Sequence, residues 1–260
     1  MIFQFKNYLR KIPIIKRVYP SFIFKILKKI KKNKIIYKFQ NIFLSLNINE
    51  PMDRSIFFFD YYENKQLNFL KSNIKNNKFD YFFDIGANFG LYSLFVANLD
   101  KNIKILTFEP IKRTFLNLKK NIKLNKFKNI NIYNFGLSNN NQIKKVKALK
   151  KNNYIQTGGF GVVNEGENIK NLHIEKAIFK IADQKFNFHK KNICIKIDVE
   201  GHEIYVIEGI KRLIKNNNVF LQIEIFNSNY NKVLKKLKSL KLRKIHQIKD
   251  DTKMDYFFKK

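Results

Sequence analysis

From Phe79 onward the chain switches repeatedly between short apolar runs and helical spacing, and this alternation restricts the fold more than any other feature. Tyr81–Ile85, Lys104–Phe108, Ile130–Phe135, Ile193–Val199 and Val219–Ile225 have the length and apolar content of strands. Between them run helical patterns. Leu91–Asn98 is one. Ile111, Phe115, Leu118 and Ile122 mark a second, with Pro110 suited to its first position. Ile204, Ile207, Ile210 and Ile214 mark a third, and Val233, Leu234, Leu237 and Leu240 a fourth. Strand and helix in strict turn predict an α/β fold, a mostly parallel sheet with helices on both faces. Lys244–Ile248 and Lys253–Phe258, separated by Asp250-Asp251, predict a C-terminal antiparallel hairpin at one sheet edge.

Residues 139–190 break the alternation. They carry the glycine-rich stretch Thr157-Gly158-Gly159-Phe160-Gly161 and no clear helix, which predicts irregular strands and loops inserted between the third and fourth strands, where a substrate is selected. Residues 1–49 read as a basic, partly helical extension, and 50–260 as the main domain. In the extension, Ile23, Ile26, Leu27 and Ile30 share one helical face among lysines at 25, 28, 29, 31 and 32. Such a helix either lies on an anionic membrane surface or packs on the domain with its lysines in water.

Charge bears on partners. The net charge is +32, and residues 1–49 hold twelve Lys/Arg and no Asp or Glu. Nucleic acid, anionic lipid and acidic polysaccharide are all compatible with that balance. An A/T-rich genome also raises Lys, Asn, Ile and Phe, so charge alone selects none of them. Cys194 is the one cysteine, so no intrachain disulfide forms, as expected of a reducing compartment. No run of about 18 uncharged residues is present, and no signal-peptide pattern. The expectation is a soluble, cytoplasmic catalytic part, with residues 1–49 able to bring it to the inner membrane face.

Three segments carry chemistry. The first is Asp84-Ile85-Gly86-Ala87-Asn88-Phe89-Gly90, where a strand ends and a helix begins. In open parallel sheets, ligands bind beyond the carboxyl ends of strands. Gly86 and Gly90 let backbone approach a ligand, with Ala87 and Asn88 between them. A carboxylate there can hold an ammonium group, and helix N–H groups a carboxylate. Dinucleotide loops compete, but Gly-x-x-x-Gly around Asn88 is not Gly-x-Gly-x-x-Gly. The second segment is Phe108-Glu109-Pro110. Glu109 follows Asp84 by 25 residues and suits the two hydroxyls of a ribose; a helix-start acid is the plain alternative. Gly136, at the end of the third strand, is placed beside an adenine or simply serves the turn.

The third segment is Lys196-Ile197-Asp198-Val199-Glu200-Gly201-His202-Glu203. Asp198, Glu200 and His202 are candidate bases for removing a hydroxyl proton, and His202 also suits a local helix-start role. Glu203 reads as a first-turn helix acid. Asp198, Glu200 and Glu224 offer oxygen ligands compatible with Mg²⁺, a role nothing in the sequence establishes. Cys194, inside a strand, reads as core.

Together these three segments resemble the signatures of FkbM-type methyltransferases over about residues 79–226. The resemblance implies a class I methyltransferase (Rossmann-like) fold, S-adenosylmethionine as methyl donor, and O-methylation of a sugar, glycan or other small molecule. It places Asp84, Gly86, Asn88, Gly90 and Glu109 at the cofactor, with Asp198 and His202 near the methyl group. Asp183 matches an acid that precedes strand four in the family, although Ile181-Ala182 replaces the usual Thr-Leu. Two other functions compete. A nucleic-acid methyltransferase suits the charge, but Asp198-Val199-Glu200-Gly201 stands where base-amino methylases carry a Pro-Pro-Tyr/Phe run. A non-catalytic membrane-surface protein acting through residues 1–49 is the other.

Overall fold

The computed structural model describes residues 12, 14, 18–23, 33–151, 154–155, 158–163, 166–250 and 253–260. The expected lysine-faced helix over 23–30 falls on residues 24–32 and so lies outside the described residues, apart from Ile23. Within 33–49 the chain forms a β-hairpin. Strands β1 (Lys34–Phe39) and β2 (Ile42–Asn47) pair antiparallel. Gln40 and Asn41 between them both have positive φ, 49° and 65°, as a tight two-residue hairpin turn requires. Phe39, Ile42, Leu44 and Leu46 are fully buried in a cluster that also holds Phe82 and Ile105 of the central sheet. The hairpin is therefore continuous with the core of the main domain.

Two helices follow, α1 (Pro51–Phe59) and α2 (Asn64–Asn76). Then comes the predicted alternation: β3 (Tyr81–Ile85), α3 (Leu91–Leu99), β4 (Lys104–Phe108), α4 (Lys112–Asn125) and β5 (Ile130–Tyr133). After an insertion it resumes with β11 (Asn192–Ile197), α6 (Glu203–Gly209), α7 (Lys211–Asn216), β12 (Asn218–Glu224), α8 (Tyr230–Ser239), β13 (Arg243–Asp250) and β14 (Lys253–Lys259). The sheet order is β13-β14-β12-β11-β3-β4-β5. The five strands from β12 to β5 are parallel, and β14 and β13 add the predicted antiparallel edge. One face packs Leu67, Leu70 and Ile74 of α2 with Leu94 and Phe95 of α3. The other packs Val206, Ile207, Leu213, Ile214, Val233 and Leu237 of α6, α7 and α8. Each such side chain, removed from water, stabilises the fold by about 1.5–3 kcal/mol.

Two predictions needed correction. The helix of residues 112–125 starts two residues after Pro110, with Ile111 as its N-cap. The physical reason is Glu109, whose Oε1 accepts a hydrogen bond from the Ile111 N–H at 2.8 Å and holds Pro110 in the preceding loop. The insertion is also more regular than its composition suggests. β6 (Gly136–Leu137), β7 (Gln142–Lys151), β8 (Tyr154–Ile155), β9 (Gly161–Val162) and β10 (Leu172–Lys180) form a second sheet, ordered β6-β10-β7-β8 with β9 on β7. Val146 and Ala148 of β7, with Ala177 and Phe179 of β10, point inward, while Ile143, Lys145, Leu149, Lys176, Ile178 and Lys180 face outward. A short helix α5 (Ala182–Lys185) leads back to β11. Its Asp183 accepts from the backbone N–H groups of Arg212 (2.6 Å) and Leu213 (2.9 Å), so it caps α7.

The chain leaves β3 toward β4 and β5, then returns to β11 on β3's other side. The point where strand order reverses thus lies between β3 and β11, and a crevice opens there at the carboxyl ends.

Candidate active site

β3 ends at Ile85, and the next residue meets β11 at close range. Gly86 has φ +82°, and a Cβ there would sit 1.8 Å from the carbonyl oxygen of Asp198. The N–H groups of Gly86 and Ala87 both donate to the Phe108 carbonyl at 3.0 Å, while the Asp198 N–H donates to the Ile85 carbonyl at 3.0 Å. The loop is thus pinned between β4 and β11. Asn88 follows at φ +52° and donates its N–H to Glu109 Oε2 at 2.9 Å. Gly90, at φ +91°, is the N-cap of α3. Beneath the loop, Asp84 Oδ2 accepts from the N–H (2.9 Å) and Oγ (2.6 Å) of Ser93, which ties the strand end to α3.

These bonds fix two acids in low-dielectric surroundings. Burial pushes Glu109 up to about 7, against the lowering effect of the Ile111 and Asn88 N–H groups. Burial also raises Asp84, although Lys196 and Ser93 pull it back. Two acceptor atoms here, Asp84 Oδ1 and Asn88 Oδ1, are buried with no hydrogen-bond partner among the described residues.

A cavity of about 370 Å³ opens over this loop. Gly86, Asn88, Glu109 and Gly136 line it from the side of β3, β4 and β6, and Asp198, Glu200 and His202 from the β11 side. Its roof is the second sheet and the Gly158–Val162 segment. A Cβ on Gly158 would lie 2.5 Å from Met52 Cε of α1, so this roof rests directly on α1. Gly136 is bare because the Phe179 ring lies against it, 2.5 Å from where its Cβ would be. Asp84, Ala87 and Gly90 do not line the cavity; they shape the loop that does.

The Asp198–His202 turn is held from several sides. Glu200 and Gly201 have φ of 49° and 98°. His202 N–H donates to the Val199 carbonyl, and Asn229 Nδ2 donates to the Gly201 carbonyl at 3.1 Å. Glu203, expected only as a helix-start acid, does more. It is buried, accepts from the Gly201 N–H at 2.7 Å and from Asn229 Nδ2 at 3.2 Å, and so braces the turn. His202 is also buried, with Nε2 2.9 Å from Ser138 Oγ and its ring stacked on Tyr205. Burial, aided by Lys144, lowers it to about 4. It is neutral near pH 7 and a weak base.

One group carries no role in the sequence reading yet anchors the site. Lys196 lies inside β11, buried, with Nζ 2.9 Å from Asp198 Oδ2 and 4.3 Å above the Tyr92 ring. Burial opposes its charge, but Asp198, Glu63, Asp84 and Asp255 together raise its pKa. Below it, Tyr92 Oη donates to Glu63 (2.7 Å), and Gln222 Nε2 donates to Asp255 (2.9 Å). The available signal was a lysine in an otherwise apolar strand, beside Gln222 in the next one. The suggested Mg²⁺ set of Asp198, Glu200 and Glu224 is not assembled. Among the described residues no three His, Cys, Asp or Glu groups could hold a metal ion, and Asp198 already faces the Lys196 ammonium. Cys194 is a core residue whose thiol burial pushes up.

A second cleft, about 660 Å³, lies on the outer side of the same turn, between the roof and α8. Glu200 and His202 line both spaces, and Phe226, Asn229, Tyr205 and Lys232 line the outer one.

Solved structures show loose likeness to this chain. A precorrin-6y C5,15-methyltransferase from Geobacter metallireducens is 10% identical, with TM-score 0.47, covering 76% of this chain and 89% of the other. A SAM-dependent O-methyltransferase from Thermotoga maritima is 9% identical, with TM-score 0.47, covering 80% and 70%. No curated protein matches by sequence. The methyltransferase FkbM domain model, however, matches residues 84–244, more than half of the chain and the whole span from the Asp84 loop through the Asp198–His202 turn. The chain therefore belongs to the FkbM methyltransferase family.

Proposed function

We propose that this protein transfers a methyl group from S-adenosylmethionine to a hydroxyl of a small molecule or glycan. The observation that carries this reading is the single cavity in which Gly86, Asn88 and Glu109 meet Asp198, Glu200 and His202. The residues fit the donor. Asn88 Oδ1 is a buried acceptor without a partner among the described residues, and Gly86 and Gly136 leave room that side chains would fill. The acids that line it, Asp198, Glu200 and Glu109 where ionised, outnumber the buried Lys196 cation, which suits a ligand bearing ammonium and sulfonium charges. Glu109 would hold the ribose, Gly136 and Leu137 would flank the adenine, and Asp198 would offset the donor's positive charge.

S-adenosylmethionine, when bound, supplies an electrophilic methyl group. Glu200 lines both the donor cavity and the outer cleft, so its carboxylate takes the acceptor's hydroxyl proton as the oxygen gains the methyl. His202, neutral and held by Ser138, forms part of the wall between the two. Phe226, 40% exposed, offers a flat apolar face and Asn229 a polar rim, a pairing suited to a hydroxylated ring.

Calorimetry with S-adenosylmethionine tests the donor, and labelled-methyl transfer into glycan, lipid, protein and nucleic-acid fractions of a lysate tests the acceptor. Label in a glycan or small-molecule fraction is expected; label confined to nucleic acid would sink the acceptor assignment.

Glu109 gives the donor site a pH signature. Its pKa is raised to about 7, and only the ionised form accepts from both ribose hydroxyls. Binding then favours the charged form and releases a proton below neutrality. Donor affinity should rise about tenfold per pH unit up to about 7 and flatten above it. Calorimetry across that range, in buffers of different ionisation enthalpy, measures both the affinity and the proton release. A flat profile would remove Glu109 from the ribose site.

A further inference from the structure

We propose that the helical residues 18–23, together with Ile14, dock this protein on an anionic membrane surface. Residues 14 and 18–23 are helical. Tyr19 and Ile23 are half-buried, and the Tyr19 ring meets Phe58 of α1 edge-on at 5.7 Å. These two, four residues apart, mark the face that rests on the domain. Ile14, Val18 and Phe22 also recur every four residues, and they face outward at 74%, 59% and 63% exposure. A surface helix of a water-soluble domain turns polar side chains outward. Here Val18 and Phe22 stand outward beside Ser21, and among the described residues nothing covers that apolar stripe.

The neighbouring hairpin repeats the pattern. Ile36 is 59% and Phe43 45% exposed. Lys34 and Lys38 share Ile36's exposed side of β1, and Lys38 lies directly opposite Phe43. Apolar side chains are thus interleaved with lysines on the outer surface.

Charge selects the occupant. The twelve cations and no acids of residues 1–49 attract an anionic layer. A second copy would bring the same cations against them and be repelled. Phosphate backbone would satisfy the lysines but offer nothing to Ile14, Val18 and Phe22. An anionic lipid surface satisfies both, with apolar side chains at the acyl boundary and lysines among the headgroups. No helix among the described residues is long and apolar enough to cross a membrane, so the contact is peripheral.

The test is co-sedimentation of the full chain with phosphatidylcholine vesicles, with and without phosphatidylglycerol, alongside the Val18→Glu/Phe22→Glu double variant. The wild type should bind the phosphatidylglycerol vesicles and not phosphatidylcholine alone. The double variant should bind at least about tenfold more weakly, through lost apolar burial and added negative charge. Its melting temperature and donor affinity should stay unchanged, since both side chains are exposed. No vesicle binding by the wild type would overturn the proposal. Undiminished binding of the double variant would do so too, by showing that charge alone acts. A wild-type dimer that the double variant dissociates would assign the stripe to a second copy. Binding to RNA in place of vesicles would assign the charge to nucleic acid. None of these outcomes depends on the methyl-transfer reading, which stands or falls by donor binding.

Discussion

Gly86→Ala is expected to abolish measurable donor binding and to lower the melting temperature by roughly 6–12 °C. The cause is geometric. The added methyl would stand 1.8 Å from the Asp198 carbonyl oxygen and 2.9 Å from its carbonyl carbon. Both are backbone atoms, so no rotamer change relieves the overlap. The loop cannot retreat either. Gly86 and Ala87 are tied to the Phe108 carbonyl on one side, and Asp198 N–H is tied to the Ile85 carbonyl on the other. Relief means breaking at least one of these bonds, at about 1 kcal/mol each, while alanine at φ +82° adds another 1–3 kcal/mol. The sum, about 3 kcal/mol, gives the melting shift.

Gly90→Ala is the built-in comparison. Its added methyl would meet Leu118 Cδ1 at 2.4 Å, the far end of a flexible side chain that can turn away. It keeps the cost of positive φ and loses little else. Thermal denaturation and calorimetry on the two variants should therefore rank Gly86→Ala well below Gly90→Ala. Equal behaviour would mean that φ alone, not the approach of β11, fixes Gly86.

The contrast marks what is legible in a sequence of this kind. Asp84-Ile85-Gly86 and Ile197-Asp198 stand out because an apolar run, an acid and a glycine announce the end of a buried strand. The five parallel strands and the closing hairpin are legible for the same reason: their apolar runs are short and clearly bounded. The 1.8 Å approach between two such ends is a tertiary fact and leaves no trace in either segment alone. The second sheet is hidden differently. In Gln142–Lys151, five lysines on a ten-residue strand swamp the alternation that buries Val146 and Ala148. Lys196 is hidden because, apart from Asp198, its surroundings come from afar: Glu63 is the N-cap of α2, Asp84 lies on β3, Asp255 lies on β14, and the Tyr92 ring sits on α3. A lone lysine in a strand reads as an interruption until those elements are seen around it. The boundary at Pro110 is missed because one local rule, proline at a helix start, competes with another local contact, Ile111 N–H to the Glu109 side chain, and loses.

Glu200→Gln should slow methyl transfer by about 10²–10⁴-fold while leaving donor affinity within a factor of about two. The substitution keeps the shape of the side chain and its left-handed backbone, φ +49°, but removes the lone pair that takes the proton. The turn itself should survive, because Glu203, Asn229 and the Val199 carbonyl brace it and the amide keeps the side chain's size. The neighbours separate the roles. Asp198→Asn takes a negative charge from beside the buried Lys196 ammonium, so it should weaken donor binding and stability together. His202→Gln removes a ring already neutral near pH 7, so it should leave the neutral-pH profile of the rate unchanged apart from a packing loss against Tyr205. Single-turnover rates with donor held saturating distinguish the three. A Glu200→Gln enzyme of near-normal rate would move the base to Asp198, and the excess of carboxylates around Lys196 would then serve proton transfer as well as donor charge.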